Sequence, residues 1–188
     1  MFNNYREFSH EERKIMQREY GQSLKVEGAC HGWKMTADFS PTTIYAAGWT
    51  RRNQLVLITV TAYSLSDPFT GKILKIVEGG DFPYKNRMSE HWEKFNFSEI
   101  RESINIFGIY SGDGIRSNKE GWYLRIIYPS WPDGLVTIKR PYESRTSEYP
   151  LGCPVQTFHN EWCSIGFSPS GKHFVVINET DATVYTKE

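Results

Sequence analysis

Three cysteines and five histidines carry the most demanding side-chain chemistry in this 188-residue chain. Cys153, His159 and Cys163 form the densest group, spaced Cys-x5-His-x3-Cys, and Cys30-His31 stands in the other half of the chain. Thiolate and imidazole suit zinc, but finger sites set their cysteines in pairs about two to four residues apart. The spacing here differs, so Cys30, Cys153 and Cys163 are expected to bind no metal. Cys163 reads as a buried strand residue beside Trp162, and Cys153 as a loop residue before Pro154. Cys163 with His159 or His31 has the residue types of a thiol nucleophile and its base, but nothing fixes their geometry. No Gly-x-Ser-x-Gly elbow occurs.

Other chemical groupings reduce to simpler readings. Asp113 with Glu120, and Glu90 with Glu93, are carboxylate pairs of the kind glycoside hydrolysis uses, but a solvated loop or helix face accounts for them. Ser111-Gly112-Asp113-Gly114 lacks the Lys-Ser/Thr of a phosphate-binding loop. Lys139-Arg140, with Tyr142 and Arg145, is the densest basic and aromatic stretch. The 22 Lys plus Arg balance 22 Asp plus Glu, so no basic field for nucleic acid or a membrane surface exists. No catalytic residue, cofactor or metal is assigned.

What remains is aromatic and acidic surface. Trp92 lies in Ser89-Glu90-His91-Trp92-Glu93-Lys94 and Trp131 in the turn Ser130-Trp131-Pro132-Asp133, positions that suit binding anchors. Trp33, Trp49, Trp122 and Trp162 fall inside strand patterns and are assigned to the core. Glu90, Glu93, Asp133, Glu179 and Asp181 form the candidate charged rim, with Glu99 and Glu102 beside them on an expected helical insert.

The elements that must position these residues are mostly strands. Aromatics reach 15% and apolar residues 39%, a composition of pleated, packed surfaces. The pattern predicts strands at 24–29, 33–39, 44–49, 54–65, 72–77, 104–110, 122–128, 135–139, 155–158, 163–167, 174–177 and 183–185. The capping box Ser9-His10-Glu11-Glu12 starts an amphipathic helix that Gly21 ends. Ser-Glu pairs at 89–90 and 98–99 suggest one or two short helices within Ser89–Ser103. The chain reads as one domain, 1–188: an N-terminal helix (1–22), first β-hairpins (24–80), a helical insert or loop (81–103) and a second β-region (104–188). No stretch of about 18 apolar residues crosses a membrane. With an odd three cysteines and a polar N-terminus, reduced thiols and a cytoplasmic location are expected.

Two segments read alike: Phe39-Ser40-Pro41 leads into Ile44-Tyr45-Ala46-Ala47, and Phe167-Ser168-Pro169-Ser170-Gly171-Lys172 leads into Phe174-Val175-Val176-Ile177. Hairpin turns at Arg51-Arg52-Asn53, Pro132-Asp133-Gly134 and Glu179-Thr180-Asp181 share a second half. This resembles blades of bacterial β-propeller and WD-repeat proteins, although no Gly-His or Trp-Asp signature is present. A blade takes about 40–45 residues, so there is room for about three and the ring cannot close. The expected fold is mainly antiparallel β, an open half-propeller or a two-sheet sandwich, with two or three short peripheral helices.

In size and style the chain resembles bacterial immunity proteins, including those of contact-dependent growth inhibition, which cover a toxin's active site. The resemblance implies a non-catalytic inhibitor whose partner is a toxin domain, such as a basic nuclease, with no membrane or direct nucleic-acid partner. The alternatives are a small cytosolic hydrolase of unrecognised type and a carbohydrate- or ligand-binding β-module.

Overall fold

The computed structural model describes residues 10–15, 18, 29–79, 85–89, 91–130, 132–141, 151–159 and 161–188. Its strands are β1 (Ala29–Cys30), β2 (Trp33–Phe39), β3 (Ile44–Trp49), β4 (Leu55–Thr59), β5 (Ala62–Ser66), β6 (Ile73–Glu78) and β7 (Lys94–Phe97). They continue as β8 (Glu102–Gly108), β9 (Tyr123–Ser130), β10 (Asp133–Lys139), β11 (Cys153–His159), β12 (Ser164–Phe167), β13 (His173–Ile177) and β14 (Ala182–Lys187). They form three antiparallel sheets, ordered β1-β2-β14-β13-β12, β11-β10-β9 and β6-β5-β4-β3-β8-β7. The mainly-β expectation holds. Of the expected N-terminal helix, α1 (His10–Ile15) is present; Ser9, Met16, Tyr20 and Gly21 lie outside the described residues.

The five-stranded sheet is the middle layer. Phe174 and Val176 of β13 pack with Trp33, Leu124, Val136 and Ile138, on the side of the three-stranded sheet. Val175 and Ile177 pack with Ala47, Leu55 and Leu57 of the six-stranded sheet. A strand covered on both faces has no polar side, which is why Phe174-Val175-Val176-Ile177 shows no alternation.

The six-stranded sheet curls. Tyr63 on β5 and Phe95 and Phe97 on β7 are separated in sheet order by β4, β3 and β8. Yet the Tyr63 ring meets Phe95 at 5.0 Å and Phe97 at 5.2 Å, edge to face. The sheet therefore closes round its own core of Val56, Ile58, Ile104 and Ile106.

Two element assignments need correction. The expected helical insert is the β7–β8 hairpin, in which Phe95 faces Ile104. Phe95, Phe97, Ile104 and Ile106 bury alternate positions, and that period-2 pattern outweighs the Ser-Glu capping signals. Ser89 does cap, but it caps a turn: its hydroxyl accepts from the Glu93 and Lys94 amides at 3.1 and 3.0 Å. The expected single strand 54–65 breaks into β4 and β5. Thr59 Oγ1 donates to the Ala62 carbonyl at 3.0 Å and accepts from its amide at 3.1 Å, which fixes the reversal.

The three expected hairpin turns join β3 to β4, β9 to β10 and β13 to β14. The Ser168-Pro169 turn joins β12 to β13, whereas Ser40-Pro41 carries the chain from the five-stranded to the six-stranded sheet. The two look-alike segments thus do different work. β2 pairs with β14, so the described body's first long strand and its last share one sheet.

Candidate binding surface

β6 pairs with β5 and with no other described strand. Its register with β5 slips between Leu65 and Ser66: Leu65 faces Lys75, but Ser66 faces Ile73. Leu74 is the extra residue. Side chains on a regular strand alternate, so 74, 76 and 78 would share a face; the bulge puts Ile73 there with Ile76 and Glu78 instead. These three line one wall of an open cleft of about 550 Å³. Leu57, Thr59, Ala62 and Ser64 form its floor, and Phe39–Thr42, the crossing between sheets, forms the other wall. Ile73, Leu74 and Ile76 are 52%, 45% and 50% exposed.

The β13–β14 turn stands behind that second wall. The Ile44 amide donates to the Glu179 carbonyl at 2.7 Å, and Ala182 pairs with Phe39. Ser40, a cleft residue, donates to Asp181 Oδ1 at 2.8 Å, and Thr180 donates to Oδ2 at 2.7 Å. Hydrogen bonds from Thr180 and then Ser40 hold the Asp181 carboxyl below its usual range, outweighing partial burial. It is an anion at neutral pH. Glu78 thus puts a carboxylate on the cleft wall, Asp181 stands behind the opposite wall through its bond from Ser40, and Lys72 and Lys75 flank Ile73-Leu74 along the strand.

The candidate anchors and rim residues are spread over three sheets. Glu179 and Asp181 sit in the β13–β14 turn behind the cleft wall, where Asp181 holds Ser40. Asp133, at the start of β10, pairs with His159 of β11 in the three-stranded sheet. Trp92 and Glu93 precede β7; Glu93 is exposed, while Trp92 is half-buried against the six-stranded core and 4.9 Å from the Tyr110 ring. Glu90 and Trp131 lie outside the described residues. Glu99 is taken up internally: it accepts from Tyr63 Oη at 2.8 Å and pairs with Arg87 at 2.8 Å. Burial raises the Glu99 pKa, but the bonds from Tyr63, its own amide, Arg87 and Ser98 prevail and bring it to about 2. Burial, with the bond to Glu99, pushes Tyr63 up to about 12. Glu102 accepts from the Arg51 amide at 2.7 Å.

The sulfur residues are arranged otherwise than expected. Cys30 is bonded to Cys153, 123 residues away, with their Cα atoms 6.2 Å apart. This corrects the expectation of three reduced thiols, and Cys153 begins β11 where a loop was expected. His31 joins this pair, while His159 lies with Asp133. Cys163 is the free cysteine among the described residues. It lies one residue before β12 and is half-buried, not the buried strand residue expected; desolvation first, then nearby Asp113 and Glu161, pushes its thiol well above the usual range.

In sequence the cleft-edge residues Ile73, Leu74 and Ile76 belong simply to the strand expected at 72–77. The bulge has a signal in the sequence, because adjacent Ile73-Leu74 and then Ile76 break strict alternation; the exposure has none. The class these features define is a mainly-β protein of three stacked antiparallel sheets with an open apolar edge. No family model matches the chain, and no curated protein is significantly similar to it in sequence.

Proposed function

We propose that this is a non-catalytic binding protein that covers a site on another protein, in the manner of an immunity protein neutralising a toxin. One observation carries the reading: β6 is an outer strand with three half-exposed apolar side chains beside an open cleft. A buried core strand does not need such an edge, and an edge guarded only against aggregation carries charges without the apolar side chains. Lys75 provides the guard, and Ile73 and Ile76 provide contact area. The Glu78, Glu179 and Asp181 carboxylates suit a basic partner, such as a nuclease domain, and would steer its approach. A stable complex needs about 1,200–2,000 Å² in total, more than the cleft alone, so the partner rests on the β2–β3 crossing and the β13–β14 turn as well.

The test uses the purified full chain and the protein encoded by the adjacent reading frame. Binding and loss of that protein's activity are expected. Reversing Glu179 and Asp181 should slow association, most strongly at low salt, with little change in dissociation. No binding, together with turnover of a small molecule by the pure chain, would favour the hydrolase reading.

A further inference from the structure

We propose that Cys30, His31 and Cys153 form a zinc site when the Cys30–Cys153 bond is reduced, so that one clasp between two sheets is held by a disulfide or by a metal. The two sulfurs and a ring nitrogen of His31 lie within 4.8 Å of one another. Tetrahedral zinc holds thiolates at about 2.3 Å and imidazole at about 2.0–2.1 Å, which places neighbouring ligand atoms about 3.5–3.8 Å apart. Opening the disulfide to that separation asks for side-chain adjustment at sites already converged.

The convergence has a specific backbone cause. Side chains next to each other on a flat strand point to opposite faces, so a Cys-His pair on a strand does not chelate. Here Cys30 ends β1 and faces Trp33 across a two-residue turn, with His31 at φ 55° and Gly32 at φ 82°. A non-glycine residue in the left-handed region is uncommon, and histidine is among the types enriched there. That turn swings the imidazole to the side of Cys30, against the Trp122 ring at 6.0 Å. Cys153 arrives from the other sheet at the start of β11, after Gly152 at φ 109°. Cys30 and the Nε2 atom of His31 are buried, while Cys153 and the rest of His31 are half-exposed, so reductant approaches from the Cys153 side.

The chemistry balances. A phosphine and one water convert the disulfide into two thiols and a phosphine oxide; in a cell, two small thiols do the same and leave as their own disulfide. Zinc then displaces one proton from each thiol and takes neutral His31 as the third ligand. A fourth position stays open for water. The expectation that these cysteines bind no metal rested on spacing along the chain, whereas the ligands meet through the fold.

The experiment treats the chelator-stripped full chain with phosphine, adds zinc, removes excess by gel filtration and measures metal per chain; cobalt substitution then reports thiolate ligation by its near-ultraviolet charge-transfer absorption. One zinc per reduced chain and none per oxidised chain are expected. His31→Asn, which tolerates the left-handed turn, should weaken zinc binding by about tenfold or more while the oxidised variant keeps its native circular dichroism. Cys153→Ser should abolish it. Substoichiometric zinc in the reduced chain, undiminished binding in either variant, or reduction that unfolds the chain beyond rescue by zinc would each overturn the proposal.

Discussion

In β13 every residue from Phe174 to Ile177 is buried, between the three-stranded sheet on one side and the six-stranded sheet on the other. In β6 the same kinds of side chain stand about half in solvent. Both strands are short and carry runs of apolar residues, Phe174 to Ile177 in one and Ile73, Leu74, Ile76 and Val77 in the other; position in the stack decides which run is covered. The inner strand spends its apolar area on holding the sheets together, and the outer strand leaves its own available. Stability and recognition should therefore respond to mutation in different places, and substitutions in each region test how cleanly they separate.

Phe174→Ala should have the largest effect. The ring is fully buried and packs on Trp33 at 5.1 Å, Phe167 at 5.7 Å and, stacked, on Tyr185 at 4.8 Å. Its loss opens a cavity on one face of the middle sheet and should cost about 3–5 kcal/mol in denaturant unfolding. A cost below about 1 kcal/mol would show that this sheet is not the organising layer.

Cys153→Ala comes next, measured without reductant. The bond ties the β1–β2 hairpin to β11 across 123 residues of chain, and its removal should cost about 2–5 kcal/mol. An unchanged midpoint would mean that the two sheets are held by the Trp33–Trp122 contact and its neighbours alone.

Glu99→Gln addresses the outer sheet's own core. The wild-type carboxylate, with its pKa lowered to about 2, contributes stability that is complete above its ordinary value of 4.5 and is lost as pH falls toward 2. The variant should lose about 1–3 kcal/mol at neutral pH, because hydrogen bonds to a charged group are replaced by neutral ones. It should also lose part of the stability decline between pH 4.5 and 2. An acid limb identical to wild type would exclude the Tyr63–Glu99–Arg87 group as its source.

The same contrast explains what was legible in the sequence. Turn chemistry is local, so Arg51-Arg52-Asn53, Pro132-Asp133-Gly134 and Glu179-Thr180-Asp181 could be placed as hairpins from their residues alone. The alternation of Phe95, Phe97, Ile104 and Ile106 was equally local, but Ser-Glu pairs suit a tight turn as well as a helix start, and that ambiguity misled. The exposure of β6 is not local: Ile73, Leu74 and Ile76 look like core until the topology leaves β6 outermost. The meeting of Cys30, His31 and Cys153 depends on a left-handed residue and on the packing of two sheets, neither of which spacing along the chain encodes.

The smallest effect on stability belongs to Ile76→Asp. Ile76 sits on the outer strand at 50% exposure, so its replacement breaks no packed layer and should change unfolding free energy by only about 0.5 kcal/mol. For recognition the expectation reverses. Ile76 lies between Ile73 and Glu78 on the cleft wall, and Asp there removes apolar contact area and puts a strongly hydrated group where the partner's apolar contact would form. Complex formation should weaken by about 2 kcal/mol or more, chiefly as faster dissociation, because the contact forms only after docking. Glu179→Lys with Asp181→Lys should instead act on association. If Ile76→Asp binds as wild type while Trp92→Ala or Glu93→Lys does not, the recognition surface lies beside β7, and the edge at β6 is merely uncovered.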